Sequence, residues 1–308
     1  MGWIGQVLHG LPQIKHPNKE GYPSATRIHV ALEVLGGAKY FSTLELRSGF
    51  WQIEMSPESK KKTAFITHGL YKFNVLPFGL CNSASTFQRL MTLILRGLEW
   101  SICLVYIDDL ISFSRTFHEH LQHLEIVFQR LQEANVKLKP TKCHFVKEKV
   151  EYLGHLVSAK GLEPNPDKVR IVQEFPRPQS TTDVRSFLGI ATYYRRFIPH
   201  FAQIAAPLNK LTSKNVKFFW DTDCQIAFDT LKQKLMSAPV LAYPDFELPF
   251  HLYVDAGQES LGLTLGQIVD GQEVVIAYAG RGLNKAERNY SSCEREALAV
   301  IEGIKKFR

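Results

Sequence analysis

The run Val105-Tyr106-Ile107-Asp108-Asp109-Leu110 constrains this chain more than any other stretch. Two adjacent carboxylates sit between apolar, β-branched flanks, a pattern that reads as a tight hairpin turn with a strand on either side. Sixty-three residues before Asp108 stands Glu45, in FSTLELRSGFWQI; the run from Phe41 to Ile53 ends in aromatic and β-branched residues and also reads as strand. If these strands pair, Glu45, Asp108 and Asp109 converge at one end of a sheet. Three carboxylates so placed are the ligand set for two divalent ions held roughly 3.5–4 Å apart, as phosphoryl transfer requires. An all-oxygen set favours Mg²⁺ or Mn²⁺ over zinc. The competing reading of Asp-Asp taken alone is an ordinary turn, because Asp is favoured there.

A chain of 308 residues, 45 % of them hydrophobic, is long enough for about two domains with real cores. Its net charge of +7 and pI near 9.1 suit a polyanionic partner. Between Arg185 and Lys217 lie six Lys or Arg and no acidic residue, interleaved with Phe187, Tyr193, Tyr194, Phe197 and Phe201. A merely solvated face carries mixed signs, so Arg185, Arg195, Arg196, Lys210, Lys214 and Lys217 are read as phosphate contacts. The five cysteines are widely spaced, odd in number and form no CxxC, which argues against a disulfide framework or zinc site and for a reducing, intracellular compartment. No apolar run approaches 18 residues, so no membrane span is expected.

Periodicity predicts a short helix over 28–35, strands near 41–45, 50–54, 63–67 and 71–75, and a helix from Ser83 to Arg96. After the Asp-Asp hairpin comes an amphipathic helix over 116–134, with Leu121, Leu124, Val127, Phe128 and Leu131 apolar and His118, His120 and His123 on exposed surface. A lysine-rich strand (136–139) and a hairpin over 152–157 follow, then helices through Tyr194 and over 223–236. From Leu248 alternation returns in FHLYVDA, LGLTLGQIV and EVVIAYAGR, before a helix starting near Ser291 or Ser292.

Taken together, LGGAKYFSTLELRSGFWQI (35–53), KTAFITHGLYKFNVLPFGLCNSASTFQRLM (62–91), VYIDDLISFS (105–114), KLKPTKCHF (137–145), VEYLGHLVS (150–158), RSFLGIATYYRRFI (185–198), APVLAYPDF (238–246), LYVDAG (252–257) and NYSSCEREALAV (289–300) resemble, in this order, the Pol polyprotein of gypsy-type LTR retrotransposons. The resemblance runs from about Tyr22 to the end and implies an α+β fold. Residues 22–158 would form a reverse transcriptase palm with partial fingers, 159–247 a helical thumb and connection, and 248–308 the first half of an RNase H-like domain. Residues 1–21 match nothing in the family pattern.

The resemblance also implies roles. Glu45 stands where the family has a metal-binding Asp, Asp108 at the second essential ligand and Asp109 beside it. Phe50 falls where an aromatic ring excludes a ribose 2′-hydroxyl, or else packs in the core. Pro77, Phe78 and Gly79 match the motif lining the nascent base pair, or else turn the chain into a helix. Lys139 and Lys142 fall where a lysine approaches the leaving pyrophosphate, or else are exposed lysines. Leu153-Gly154 matches the primer grip. Asp255 and Glu296, with Glu294 as the nearby alternative, match two metal-binding carboxylates of RNase H.

By family, then, the chain is an RNA-directed DNA polymerase with RNase H, using two Mg²⁺ or Mn²⁺ ions, an RNA or DNA template with primer, and dNTPs, but no small-molecule cofactor and no membrane. Three departures lead us to expect impaired activity: fingers strands are missing before Tyr22, RNase H stops short at Arg308, and Glu45 replaces Asp. The extra methylene moves a ligand by roughly 1.5 Å, against a tolerance of about 0.5 Å. The alternative is a catalytically silent nucleic-acid-binding or interaction protein.

Overall fold

The computed structural model describes residues 25–214 and 216–308; the segment 1–21 lies outside the described residues. The chain divides into two compact units, the first reaching Leu153 and taking in 157–159, the second comprising 154–156 and 160–308. Among the described residues no helix is long and apolar enough to cross a membrane.

In the first unit, α1 (Ala25–Glu33) leads through Gly37, whose φ of 78° needs a glycine, into β1 (Tyr40–Glu45). A short helical turn α2 (Pro57–Lys60) precedes the two-residue strands β2 (Phe65–Ile66) and β3 (Leu70–Tyr71). Then come α3 (Ser83–Ile94), β4 (Cys103–Tyr106), β5 (Asp109–Ser114), α4 (Phe117–Glu133), β6 (His144–Lys147) and β7 (Lys149–Tyr152). The main sheet has the order β4-β5-β1-β6 and is antiparallel throughout. Phe87, Leu90, Met91 and Ile94 recur at helical spacing on α3 and share one core with Leu44, Val105 and Leu110 of the sheet and Val127 and Leu131 of α4. Each such fully buried side chain contributes about 1.5–3 kcal/mol. This packing sets the sheet rigidly enough to aim the side chains at its end.

Four sequence expectations fail here. Residues 50–54 are not a strand: Gly49–Gln52 form a 3-10 turn. The Gln52 amide donates to the carbonyls of Arg47 (2.8 Å) and Lys137 (2.9 Å) and accepts the Lys137 N–H (2.7 Å), so distant backbone overrides local β-propensity. The strands expected over 63–67 and 71–75 shrink to β2 and β3. The lysine-rich strand over 136–139 is a single bridge, Leu138 to Leu46, after which Pro140, without an N–H, opens a 3-10 turn over Pro140–Lys142. On α4, Leu121 and Phe128 are exposed, whereas His120 is fully buried.

His120 is held by a closed set of hydrogen bonds. The Ser114 hydroxyl donates to the Thr116 carbonyl (3.1 Å), so it accepts from His120 Nδ1 at 2.9 Å. His120 Nε2 in turn lies 2.7 Å from Ser42 Oγ, which also accepts the Val146 N–H at 2.9 Å. Every polar atom is satisfied with the ring neutral. Burial, and secondarily the charge of His123, push the imidazole down to about 4.

The chain crosses between units around β8 (His155–Ser158) and β9 (Gly161–Pro164), after a two-residue turn in which Leu153 (φ 46°) and Gly154 (φ 69°) are both left-handed, as hairpin turns require. The second unit then builds α5 (Pro166–Glu174), α6 (Thr181–Tyr193), α7 (Phe201–Ile204), α8 (Ala206–Leu211) and α9 (Thr222–Met236). Their N-termini are closed by Asn165, Ser180 and Asp221 on α5, α6 and α9, each accepting backbone N–H groups. Phe187 of α6 and Phe228 of α9 meet at 4.6 Å between ring centroids. The meander β10 (His251–Ala256), β11 (Ser260–Val269) and β12 (Gln272–Gly282) follows, with α10 (Ser292–Phe307) packed where Gly303 comes close to Leu252.

Candidate active site

At the end of the main sheet Glu45 lies directly opposite Asp109 across β1 and β5, and Asp109 opposite Tyr106 across β5 and β4. Directly paired antiparallel residues stand roughly 4.5–5.5 Å apart at Cα, so Glu45 and Asp109 lie side by side on adjacent strands. Asp108 occupies the turn itself. Its predecessor Ile107 has a φ of 54°, strained for a β-branched residue, and costs about 1–3 kcal/mol. Gln88 of α3 holds it there: Oε1 accepts the Ile107 N–H at 2.7 Å while Nε2 donates to the Val105 carbonyl at 3.1 Å. Nothing in the sequence pattern singled out Gln88.

The floor beneath Asp108 is Gly49, where a Cβ would fall 2.3 Å from Asp108 Oδ1 and 2.7 Å from Phe87 Cζ. Asp108 Oδ1 is buried without a hydrogen-bond partner among the described residues. Loss of solvent raises the Asp108 carboxyl above its usual range, and the charges of Asp109 and Glu45 raise it further. Asp109 is raised for the same first reason, then by Glu45, with Lys142 pulling the other way and Glu151 adding to the rise. An oxygen buried without a donor, among carboxylates that repel one another, calls for a cation. Asp108 and Asp109 fit such an ion. Glu45 does not join them: its Oε1 accepts from Lys142 Nζ at 2.6 Å. Among the described residues no group of three or more His, Cys, Asp or Glu is arranged to hold one metal ion.

Beside the carboxylates is an aromatic ledge. Phe50 packs against Phe78 (5.3 Å) and Phe87 (5.4 Å), and Trp51 against Phe78 (5.9 Å). Phe50 is therefore both core-packed and close to the Gly49 floor. Pro77 is buried and its carbonyl accepts the Ser83 hydroxyl at 2.8 Å, while Phe78 stays exposed and Gly79 (φ 89°) has open space around it. The motif thus turns the chain into α3 and leaves the Phe78 ring largely exposed on the ledge. Lys139 is exposed, with its backbone N–H on the Glu45 carbonyl at 2.9 Å.

In the second unit Asp255 on β10 and Glu296 on α10 line one cavity of about 440 Å³ with Val254, Cys293 and Val300. Glu294 is taken: it closes the α10 N-terminus in a capping box with Ser291. A residue the sequence did not flag, His200, brings Nδ1 to 3.5 Å from Asp255 Oδ2, and Gly262 gives the ring room. Of the expected phosphate contacts, Arg195, Lys210, Lys214 and Lys217 are exposed, and Arg185 is exposed with one nitrogen on the Thr212 carbonyl at 3.1 Å. Arg196 is not among them. The 3-10 turn Arg195–Phe197 rotates it inward beside Phe197, and it is buried.

Comparison with known proteins finds two domains in the chain. The profile of the reverse transcriptase (RNA-dependent DNA polymerase) family matches residues 5–157, starting ahead of Tyr22. The profile of the RNase H-like domain found in reverse transcriptase matches residues 220–308. The chain belongs to the reverse transcriptase and RNase H-like part of retrotransposon Pol polyproteins, domains that generally use divalent metal ions. It is 42% identical over 302 residues to the Pol polyprotein of transposon 297 of Drosophila melanogaster, covering 97% of this chain and 28% of that protein. To the Pol polyprotein of transposon gypsy of the same fly it is 40% identical, covering 94% and 29%. The chain therefore spans under a third of these relatives. Among solved structures it resembles the foamy viral protease-reverse transcriptase in complex with double-stranded DNA (TM-score 0.83, 25% identity, 98% of this chain and 52% of that one). The same viral protein in complex with an RNA/DNA hybrid gives a TM-score of 0.81 at 25% identity, covering 94% and 39%.

Proposed function

We propose that the first unit extends a primer along an RNA or DNA template using dNTPs, with Asp108 and Asp109 as the ion-holding pair. The observation that carries this is the buried, unpartnered Oδ1 of Asp108 at a sheet end shared with Asp109 and Glu45. Mg²⁺ or Mn²⁺ bound there would neutralise charge developing on the attacking and leaving oxygens in phosphoryl transfer. The chain's own residues do the positioning. Gln88 and Gly49 fix the Asp108 carboxylate, and the Phe50–Phe78 ledge walls the space beside it. Arg185, Arg195, Lys210, Lys214 and Lys217 grip the backbone of a template–primer duplex without reading its bases. Asp255 and Glu296 mark the RNase H-like site.

Synthesis is expected to be slow, because the Glu45–Lys142 pair withholds a ligand from a reaction that depends on placement, where small displacements cost on the order of 100-fold. That same pair favours a second reading, a nucleic-acid-binding protein without polymerase activity. Primer extension with Mg²⁺ and Mn²⁺ separates the two. Weak extension, abolished by Asp108→Asn but retained in Asp255→Asn, supports a polymerase; no extension with either ion, despite duplex binding, supports the silent binder.

A further inference from the structure

Lys142 arrives at the carboxylates by a specific route. Pro140–Lys142 form a 3-10 turn whose entry residue, Lys139, donates its N–H to the Glu45 carbonyl at 2.9 Å. The Lys142 N–H closes back on the Lys139 carbonyl at 2.9 Å, and its ammonium then meets the Glu45 carboxylate at 2.6 Å. One turn thus engages both the backbone and the side chain of the same residue, 97 positions away in sequence. The longer side chain of Glu45 supplies roughly 1.5 Å of reach beyond that of an aspartate.

We propose that Lys142 takes the place of a second cation in this site, so that the first unit binds a single divalent ion, through Asp108 and Asp109, until Lys142 releases Glu45. This rests on reading Asp108–Asp109 as the ion-holding pair. The charges favour it: the carboxylates of Glu45, Asp108 and Asp109 and the Lys142 ammonium sum to −2, which one divalent ion balances, with Glu151 adding only the weakest of the charges felt by Asp109. A second divalent ion would meet the Lys142 ammonium and find no free Glu45. The Asp108 Oδ1 left without a donor supplies the place for the one ion, and the lack of a three-ligand arrangement among the described residues is the geometric counterpart.

The test reads ion occupancy, not activity. Mn²⁺ is titrated into the full chain carrying Asp255→Asn, to silence the second unit, and free Mn²⁺ is followed by its electron paramagnetic resonance signal without nucleic acid or dNTP. One bound ion is expected. Adding Lys142→Met should create a second Mn²⁺ site at least about tenfold tighter than any second site in the parent. The Glu45→Gln/Lys142→Met pair should lose it again, and Lys142→Arg, which keeps the charge, should still bind one ion. Two ions in the parent, or no second ion on Lys142→Met, overturns the role given to Lys142. Retention of the first ion by Asp108→Asn overturns instead the reading of the carboxylates on which it rests.

Discussion

The two units each carry acidic residues on strands, yet they enclose them differently. In the first, Asp108 is walled by Gly49 and Phe87, braced by Gln88 through the strained Ile107, and left with an oxygen that has no hydrogen-bond partner among the described residues. In the second, Asp255 and Glu296 are exposed in an open cavity, with the half-exposed His200 close to Asp255. Enclosure makes a charge expensive and therefore specific: Asp108 and Asp109 are raised by desolvation first and by neighbouring carboxylates second. The open pair owes its arrangement to the strand and helix that carry it, not to contacts around the carboxylates. A site of the first kind is sensitive to a single added methyl group; one of the second kind is not.

The histidines offer the largest expected contrast. His120 anchors the first unit's sheet to α4 in neutral form, whereas His200 lies at the surface of the second. Because the folded His120 titrates near 4 and an unfolded histidine near 6.5, its contribution is fully present above pH 6.5 and is lost as the pH falls toward 4. A shift of that size corresponds to about 3 kcal/mol. Amide protection factors, which remove the intrinsic slowing of exchange at low pH, should fall between pH 6.5 and 4.5 more in β1 and β5 than in β10–β12, and His120→Gln should flatten that difference. An equal fall in both units, unchanged by His120→Gln, would show that this histidine does not set the acid limit of the first unit.

Glycines give the next contrast. Gly49→Ala drives a methyl group into Asp108 Oδ1 and the ring of the buried Phe87, so that the carboxylate must shift against a packed core, and should cost about 1–3 kcal/mol. It should also weaken Mn²⁺ binding by displacing the carboxylate. Gly262→Ala meets the His200 ring at 3.0 Å, the far end of a side chain free to swing away, and should stay within about 0.5 kcal/mol. Thermal unfolding of both variants measures this. If Gly262→Ala proves the costlier, the second site is as tightly built as the first and the distinction between them fails.

What the sequence made legible follows from which forces act locally. The Asp108–Asp109 hairpin could be read because its flanks alternate and its turn residues are short and polar, and the helix cores at Leu124, Val127 and Leu131 because their spacing is helical. The family resemblance supplied the partnership of Glu45 with Asp109. Illegible were features made by groups far apart in the chain. Gln52 bonding to the backbone of Lys137 turned an expected strand into a 3-10 turn, and Lys142 reaching Glu45 changed what that carboxylate can do. Arg195 and Arg196 are chemically identical neighbours, and only a 3-10 turn sends one outward and the other into the core. His120 looked like surface because nothing in its helix reveals that Ser42 and Ser114 wait opposite.

The smallest expected effect tests whether the second unit is loose throughout or only at its acidic pair. Both α4 and α10 begin with the same device: Thr116 with Glu119, and Ser291 with Glu294, each closing a capping box. Removing the cap hydroxyl leaves a first-turn N–H without its partner and costs about 1 kcal/mol in a helix that is docked on its unit. Thr116→Ala should show that cost, since Val127 and Leu131 hold α4 in the core and fraying is resisted by the packing behind it. α10 is also docked, through Gly303 against Leu252 and the buried Ala299, so Ser291→Ala should show a loss of similar size. A much smaller loss for Ser291→Ala than for Thr116→Ala, read by amide exchange in the first turns of the two helices, would mean that the start of α10 already frays in the parent. Glu296, one turn along, would then stand on a mobile helix end, and the openness of the second site would extend from its side chains into its backbone.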